Sequence, residues 1–368
     1  MKGIYIHIPF CIKKCRYCDF NSGVFDNGAK ERYLSALLCE MAAYRGTEAD
    51  TVYIGGGTPT VFETKQLKRL IEAVKSNFIL VDDTEFTVEM NPKTADLDKL
   101  KTLFEMGVNR LSIGVQSFCD AELHALGRVH SGKDAIDAIA LAREAGFENI
   151  SIDLMSGIPE QTEESFSETL KTAILQAPGH ISCYSLIVEE GTPLFDDVKS
   201  GKVTLCDDET DRKLYDYAVG ELEKNGYKRY EISNFAKSGR ASRHNIKYWT
   251  MEEYLGLGLS AHSFLNGVRY WNTDDIEKYI ADSVGTRKSE ALTENDMMSE
   301  FVFLGLRMTD GILEKAFSEK FGKDIFEVFK KPLEKFVENG LLLRENGRIC
   351  LSDKAVSVSN QIMCEFLI

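Results

Sequence analysis

The chain has 368 residues, and 44 lysines and arginines against 58 aspartates and glutamates leave a net charge of -14. That balance argues against a nucleic-acid partner, which needs a basic face. A composition 43% apolar and 28% charged excludes a disordered or fibrous chain. No run is long and apolar enough for a membrane span, and nothing near the N-terminus reads as a targeting signal. Six of the nine cysteines (Cys39, Cys119, Cys183, Cys206, Cys350 and Cys364) are scattered singly, which suits a reducing cytoplasm better than a disulfide framework. Two or three domains are expected at this length.

In chain order, strand-like and helix-like runs alternate. GIYIHI (3–8) precedes ERYLSALLCEMAAYR, TVYIGG precedes TKQLKRLIEAVKSNF, and EFTVEMNP precedes DLDKLKTLFEMGV. RLSIGVQS then precedes GKDAIDAIALAREAGF, NISIDLMSG precedes TEESFSETLKTAILQA, and HISCYSLIV closes the series. Leu67, Leu70, Ile71, Val74 and Phe78 fall on one helical face. The short, β-branched strands read as buried parallel strands. Six such units predict an α/β fold: a parallel sheet curled into a whole or partial (β/α)6 barrel over residues 1–190. An open doubly wound sheet is the competing arrangement.

Over 191–292 the rhythm changes. EEGTPLFDD reads as a loop, DDETDRKLYDYAVGELEKNGY as a long helix, and KRYEISNFAKSGRASRHNIKYW as a strand with an irregular tail. GLGLSAHSF and VRYWN read as short strands around glycines. From 293 to 368 come helices, a hairpin at Asn346-Gly347 and a final helix over 353–367, together a winged-helix-like domain. The acidic balance assigns it packing or interaction rather than DNA binding.

Within CIKKCRYC, Cys11, Cys15 and Cys18 sit on the loop leaving the first strand, the end where a parallel barrel gathers its ligands. C-x3-C-x2-C spacing can hold three irons of a [4Fe–4S] cluster and leave the fourth open. The alternative is a zinc site completed by His7 or another ligand, but so short a loop leaves little chain to wrap a tetrahedron. GGGTP (55–59) ends the second strand, Glu89 the third and Gln116 the fourth; Asp153 lies in the fifth, and Arg128 in the loop before the next long helix. Each alone reads as an ordinary cap or ion pair. Gathered on one rim, they read as a site for a charged ligand.

CxxxCxxC on the first loop of such a barrel resembles the radical S-adenosylmethionine (SAM) superfamily. YIHIPFCIKKCRYC, GGGTPT, GVQSF and DLMSGIP are similar to its coproporphyrinogen-oxidase-like branch, over essentially the whole chain. The resemblance implies a [4Fe–4S] cluster on Cys11, Cys15 and Cys18, with SAM on the open iron. It places SAM contacts at Tyr5, Tyr17 (through its backbone), Gly56, Gly57, Thr58, Glu89, Gln116, Arg128 and Asp153. Phe20 stands where the oxidase has a further cysteine, and the oxidase's N-terminal extension has no counterpart. Oxidase activity and radical methyl transfer therefore remain rivals rather than the expectation.

HNIKYW (244–249), LGLRM and VSNQI are similar to the heme-chaperone group of this branch, HemW. That implies heme as cargo and an acceptor protein as partner, with a homodimer left open. An imidazole can ligate heme iron and aromatic rings suit a porphyrin face, which makes His244 the heme candidate. In the alternative, His244 and Asn245 satisfy backbone groups while Tyr248 and Trp249 fill an interface between domains, and residue chemistry alone favours this reading. His262, in GLGLSAH, is a second heme candidate.

Overall fold

The computed structural model describes residues 1–368. Six strands form the centre of the sheet: β1 (Lys2–Ile8), β2 (Glu48–Gly56), β3 (Ile79–Met90), β4 (Arg110–Gln116), β5 (Asn149–Ser156) and β6 (His180–Ser185). They pair in parallel and lie side by side in chain order. A doubly wound sheet reverses its strand order partway; this one does not. With right-handed crossovers, an unreversed order puts every connecting helix on one face. The sheet curls around its other face, as the barrel expectation required. The connecting helices are α1 (Asn27–Ala43), α2 (Thr64–Asn77), α3 (Leu97–Glu105), α4 (Asp120–Ala125), α5 (Gly132–Glu144) and α6 (Glu163–Leu175).

Successive strand residues point to opposite faces, and each face has its own chemistry. Ile4, Ile6, Ile8, Val52, Ile54, Phe86, Val88, Leu111, Ile113, Ile150 and Ile152 join the buried apolar core with Leu67, Leu70, Ile71 and Val74 of α2. The intervening residues are polar: Tyr5 and His7, Thr51 and Tyr53, Thr87 and Glu89, Arg110 and Ser112, Ser151 and Asp153. These line the inside of the curl.

The sheet grows at both margins to twelve strands and does not close. Beyond β6 lie β8 (Asn234–Ala236) and β7 (Lys228–Glu231); beyond β1 lie β9 (Tyr254–Leu257), β10 (His262–Leu265), β11 (Val268–Trp271) and β12 (Lys288–Ala291). Between β6 and β7 run α7 (Pro193–Lys199) and α8 (Asp208–Lys224). The expected loop EEGTPLFDD thus contains a helix, started by Thr192, whose hydroxyl accepts from the Phe195 amide, and by Pro193 in the first turn. The expected irregular tail ending in HNIKYW is also a helix, α9 (Arg243–Trp249). Ser242 caps it, and the Glu85 carboxylate accepts from the amides of Arg243 and His244. A carboxylate at a helix N-terminus satisfies orphan donors and the helix dipole together, and this one arrives from a strand over 150 residues upstream.

A second core of 15 buried residues spans Met298 to Phe366, starting on the helix after α10 (Ile276–Ala281), α11 (Glu294–Gly305). It carries the three-stranded sheet β13 (Ile312–Leu313), β15 (Arg348–Leu351) and β14 (Leu342–Glu345). Asn346 and Gly347 take φ of 52° and 72°, the pair of positive values that a tight two-residue hairpin turn needs. The final helix is shorter than expected: a 3-10 turn over Asp353–Val358 leads into a helix over Ser359–Cys364. This unit seals one margin of the large sheet. Glu231 of β7 bridges to Met308, and the Thr309 amide donates to the Tyr230 carbonyl. The Arg307 guanidinium lies 4.4 Å over the Trp249 ring, so Trp249 sits at the junction of the two units. No helix is long and apolar enough to cross a membrane.

Glu40 on α1 is 1% exposed and anchors the added strands, accepting from Tyr279 Oη (2.6 Å), Asn272 Nδ2 (2.7 Å) and the Gly258 amide (2.8 Å). Burial raises its pKa, against the pull of these donors. Glu40→Ala strands three buried donors, and a loss of about 3 kcal/mol in thermal unfolding is expected.

Candidate functional site

Cys11, Cys15 and Cys18 lie at the mouth of a cavity of about 400 Å³ at the C-terminal ends of the parallel strands. Their loop is pinned from several directions. The Cys11 amide donates to the Gly23 carbonyl (2.8 Å). Asn21 Nδ2 reaches Ser260 Oγ (2.7 Å) and the Asp274 carbonyl (2.9 Å) of the added strands' loops. The Arg16 amide donates to the Leu126 carbonyl (3.0 Å), and its side chain pairs with Asp197. All three thiols are free. Three free thiols on one short loop fit the three protein ligands that a cluster with one open iron would need.

His7 does not complete a metal site. Its Nδ1 pairs with Tyr5 Oη (2.9 Å) and its Nε2 with the Asn21 carbonyl (3.1 Å), so both nitrogens are occupied in holding the loop. The GGG run is tight against the same ring. Gly56 has φ of 107°, and a Cβ there would strike His7. A side chain is excluded on both counts.

Tyr17, Gly56, Gly57, Glu89, Gln116, Arg128 and Asp153 line this cavity together with the three cysteines. Tyr5 and Thr58 are not part of its lining. Tyr5 lies beneath it on His7, and the Thr58 hydroxyl sits behind Cys11, 3.7 Å from its sulfur. The turn's amides face protein: Gly56 donates to Glu89 Oε2 (3.0 Å), Gly57 to the Ile8 carbonyl (2.8 Å) and Thr58 to the Phe10 carbonyl (2.7 Å). The run therefore ties the second strand to the cysteine loop through its donors.

Arg128 is committed in the same way. It donates to Cys15 Sγ (3.4 Å), Asn91 Oδ1 and the Gly114 carbonyl. Asn91, which sequence reasoning passed over, holds Arg128 with one end and Thr58 Oγ1 (2.7 Å) with the other. Its only signal was its place after the third strand in EMNP. Gln116 takes φ of 69° at the end of β4 and accepts from Tyr184 Oη (3.0 Å). A non-glycine residue in that conformation is held there by its surroundings, as happens at functional sites.

The cavity floor sets two buried carboxylates against two guanidinium groups, those of Arg110 and Arg128. Burial raises the pKa of Asp153, and burial with the neighbouring Asp153 charge lifts Glu89 to about 7, against the Tyr53 hydrogen bond (2.6 Å). Arg110, 2% exposed, stands among these groups with no partner for its Nε. Carboxylates and guanidinium groups so placed suit a ligand that carries both signs of charge.

His244 lies at the other end of the barrel, against Thr51 near the start of β2. Its Nδ1 pairs with Thr51 Oγ1 (2.8 Å), its Nε2 with Tyr248 Oη (2.8 Å), and its ring stacks on Tyr53. Burial first, then Lys247 and Arg110, lower its pKa to about 3, so the ring is neutral. Both nitrogens are engaged, by side-chain hydroxyls rather than by the backbone groups expected, and the ring is 1% exposed. α9 plugs the barrel.

The curled parallel sheet with three free cysteines on its first loop is a radical SAM fold, and residues 5–173 match the Radical SAM superfamily model. Residues 292–358 match the HemN C-terminal domain. The chain is 39% identical to the heme chaperone HemW of Bacillus subtilis, over 100% of this chain and 99% of that one. It is 36% identical to HemW of Lactococcus lactis, over 99% and 97%. The chain belongs to the HemW family within the radical SAM superfamily. Among solved structures, coproporphyrinogen III oxidase (HemN) from Escherichia coli superposes with a TM-score of 0.86 at 25% identity, over 99% of this chain and 89% of that one. The superfamily's fold implies a [4Fe–4S] cluster and SAM.

A cationic ligand seated on Glu89 must displace its proton below pH 7. SAM affinity measured by calorimetry should weaken by about tenfold per pH unit on acidification below that value, and Glu89→Gln should remove the dependence. His244→Ala should lower unfolding stability by about 2–4 kcal/mol through its two lost hydrogen bonds and the space left in the plug.

Proposed function

We propose that the chain is a heme carrier. In this reading it holds a [4Fe–4S] cluster on Cys11, Cys15 and Cys18, binds SAM in the adjoining cavity, and takes up heme in the cytoplasm for delivery to an acceptor protein. The observation that carries the reading is the 39% identity, over 100% of this chain and 99% of the other, to a protein named as a heme chaperone.

The site's chemistry supports the cofactor part. Cys11, Cys15 and Cys18 would hold three irons of such a cluster, and the iron left without a protein ligand would offer SAM a place to chelate. Glu89 and Asp153 offer negative charge to the sulfonium and ammonium, and Gln116 and the backbone at Tyr17 border the same space. Thr58 and Tyr5 act at one remove, by holding Cys11 and His7. Arg128 steadies the Cys15 thiolate by a charge-assisted contact. In this division residues 1–190 carry the cofactors, 191–292 extend and plug the barrel, and 293–368 form an interaction unit. Phe20, 60% exposed, supports a carrier over the oxidase, because it adds no further thiol to the loop.

Anaerobic reconstitution followed by heme titration tests the proposal. Heme uptake is expected, without conversion of coproporphyrinogen in the presence of SAM and reductant; protoporphyrinogen formation would establish the oxidase instead. Cys15→Ala should abolish the cluster absorbance near ~400 nm, and undiminished iron content in that variant would place the ligands elsewhere.

A further inference from the structure

Where would heme sit? The chain has six histidines, and the fold removes four. His7, His180 and His244 are buried with both ring nitrogens paired. His130 pairs its Nε2 with the Val115 carbonyl and leaves its Nδ1 free, but at 5% exposure that nitrogen is sealed inside the chain, out of reach of a porphyrin. His124 and His262 remain, both exposed. His124 lies on α4 with no aromatic ring against it. His262 lies flat on Trp271, its cross-strand partner, with ring centroids 6.0 Å apart and planes 16° from parallel.

This pair faces the concave side of the sheet. The opposite face of the same two strands carries Ser263 and Tyr270, which meet Arg287, itself over the Tyr44 ring just beyond α1 in the outer helical layer. His262 and Trp271 therefore project inward, as do Tyr5 and Glu89. The pair also borders the cysteine loop, because Asn21 is bonded to Ser260 and Asp274, which flank it. Next to Asn21 stands Phe20, 60% exposed, with the Lys14 ammonium on its carbonyl (3.0 Å).

We propose that heme docks on this ledge with His262 as axial ligand and the porphyrin lying against Trp271, at the border of the cysteine loop. An aromatic ring lying beside an open imidazole is the complement of a flat iron porphyrin. Partial burial, then Arg269, lowers the His262 pKa and favours the neutral imidazole that ligates. A ledge rather than a pocket suits cargo that must leave. This site rests on the heme-carrier reading above and replaces His244 as the ligand.

Heme titration of the full chain, followed by absorbance and electron paramagnetic resonance, separates the two. Histidine-ligated heme is expected in the wild type, and an affinity about tenfold or more lower in His262→Ala. His262→Met should exchange the imidazole signature for that of a thioether, which a merely structural role would not do. His124→Ala should change nothing. An unaltered spectrum and affinity in His262→Ala overturns this site and leaves heme carriage standing. Failure of the wild type to take up heme overturns the carrier reading itself.

Discussion

Strand order without a reversal is the constraint from which the site follows. Six strands lying in chain order send every connecting helix to one side, so one face of the sheet is sealed by apolar packing and the other must line a hollow. Each strand alternates accordingly. In β1 the isoleucines at 4, 6 and 8 enter the core while Tyr5 and His7 turn inward. The polar groups of the interior are therefore a property of the topology, and the loops at the strands' C-terminal ends have only to close over them.

Two chains of contact run through this interior. One links Glu89 through the Tyr53 hydroxyl to the Tyr53 ring, which stacks on His244; it joins the cavity to the helix plugging the far end. The other links Gly56 by shape to His7, and His7 by a hydrogen bond to Asn21, whose side chain grips the strands added beyond β1. Segments over 200 residues apart in sequence thereby hold the cysteine loop. A substitution in the added strands can disturb the cysteines without touching them.

Much of this was legible. The alternation of strand-like and helix-like runs announced a parallel sheet, with barrel and doubly wound sheet both open, and the cysteine spacing pointed to the loop's chemistry. The residues expected on one rim do share one cavity, apart from Tyr5 and Thr58, which stand just behind it. What escaped were features decided by distant partners. HNIKYW is too short to declare itself a helix; it becomes one because Glu85 receives its first amides. Arg128 reads alone as an ordinary ion pair, and its actual partners, Asn91, Gly114 and Cys15, are brought to it only by the fold. The partners of His244 were hidden for the same reason, since Thr51 lies far away in sequence and Tyr248 meets the ring only once the helix forms.

A sheet that stops short of closure keeps two bare rims, each a template for an intruding strand. Here the rims are guarded by different means. The C-terminal unit lays Arg307–Thr309 along β7 and occupies its backbone groups, whereas β12 stands fully exposed with Lys288 and Glu290 along it. Along β7, only four residues long, the backbone groups are taken up and an incoming strand finds nothing to pair with; along β12 charge alone stands guard.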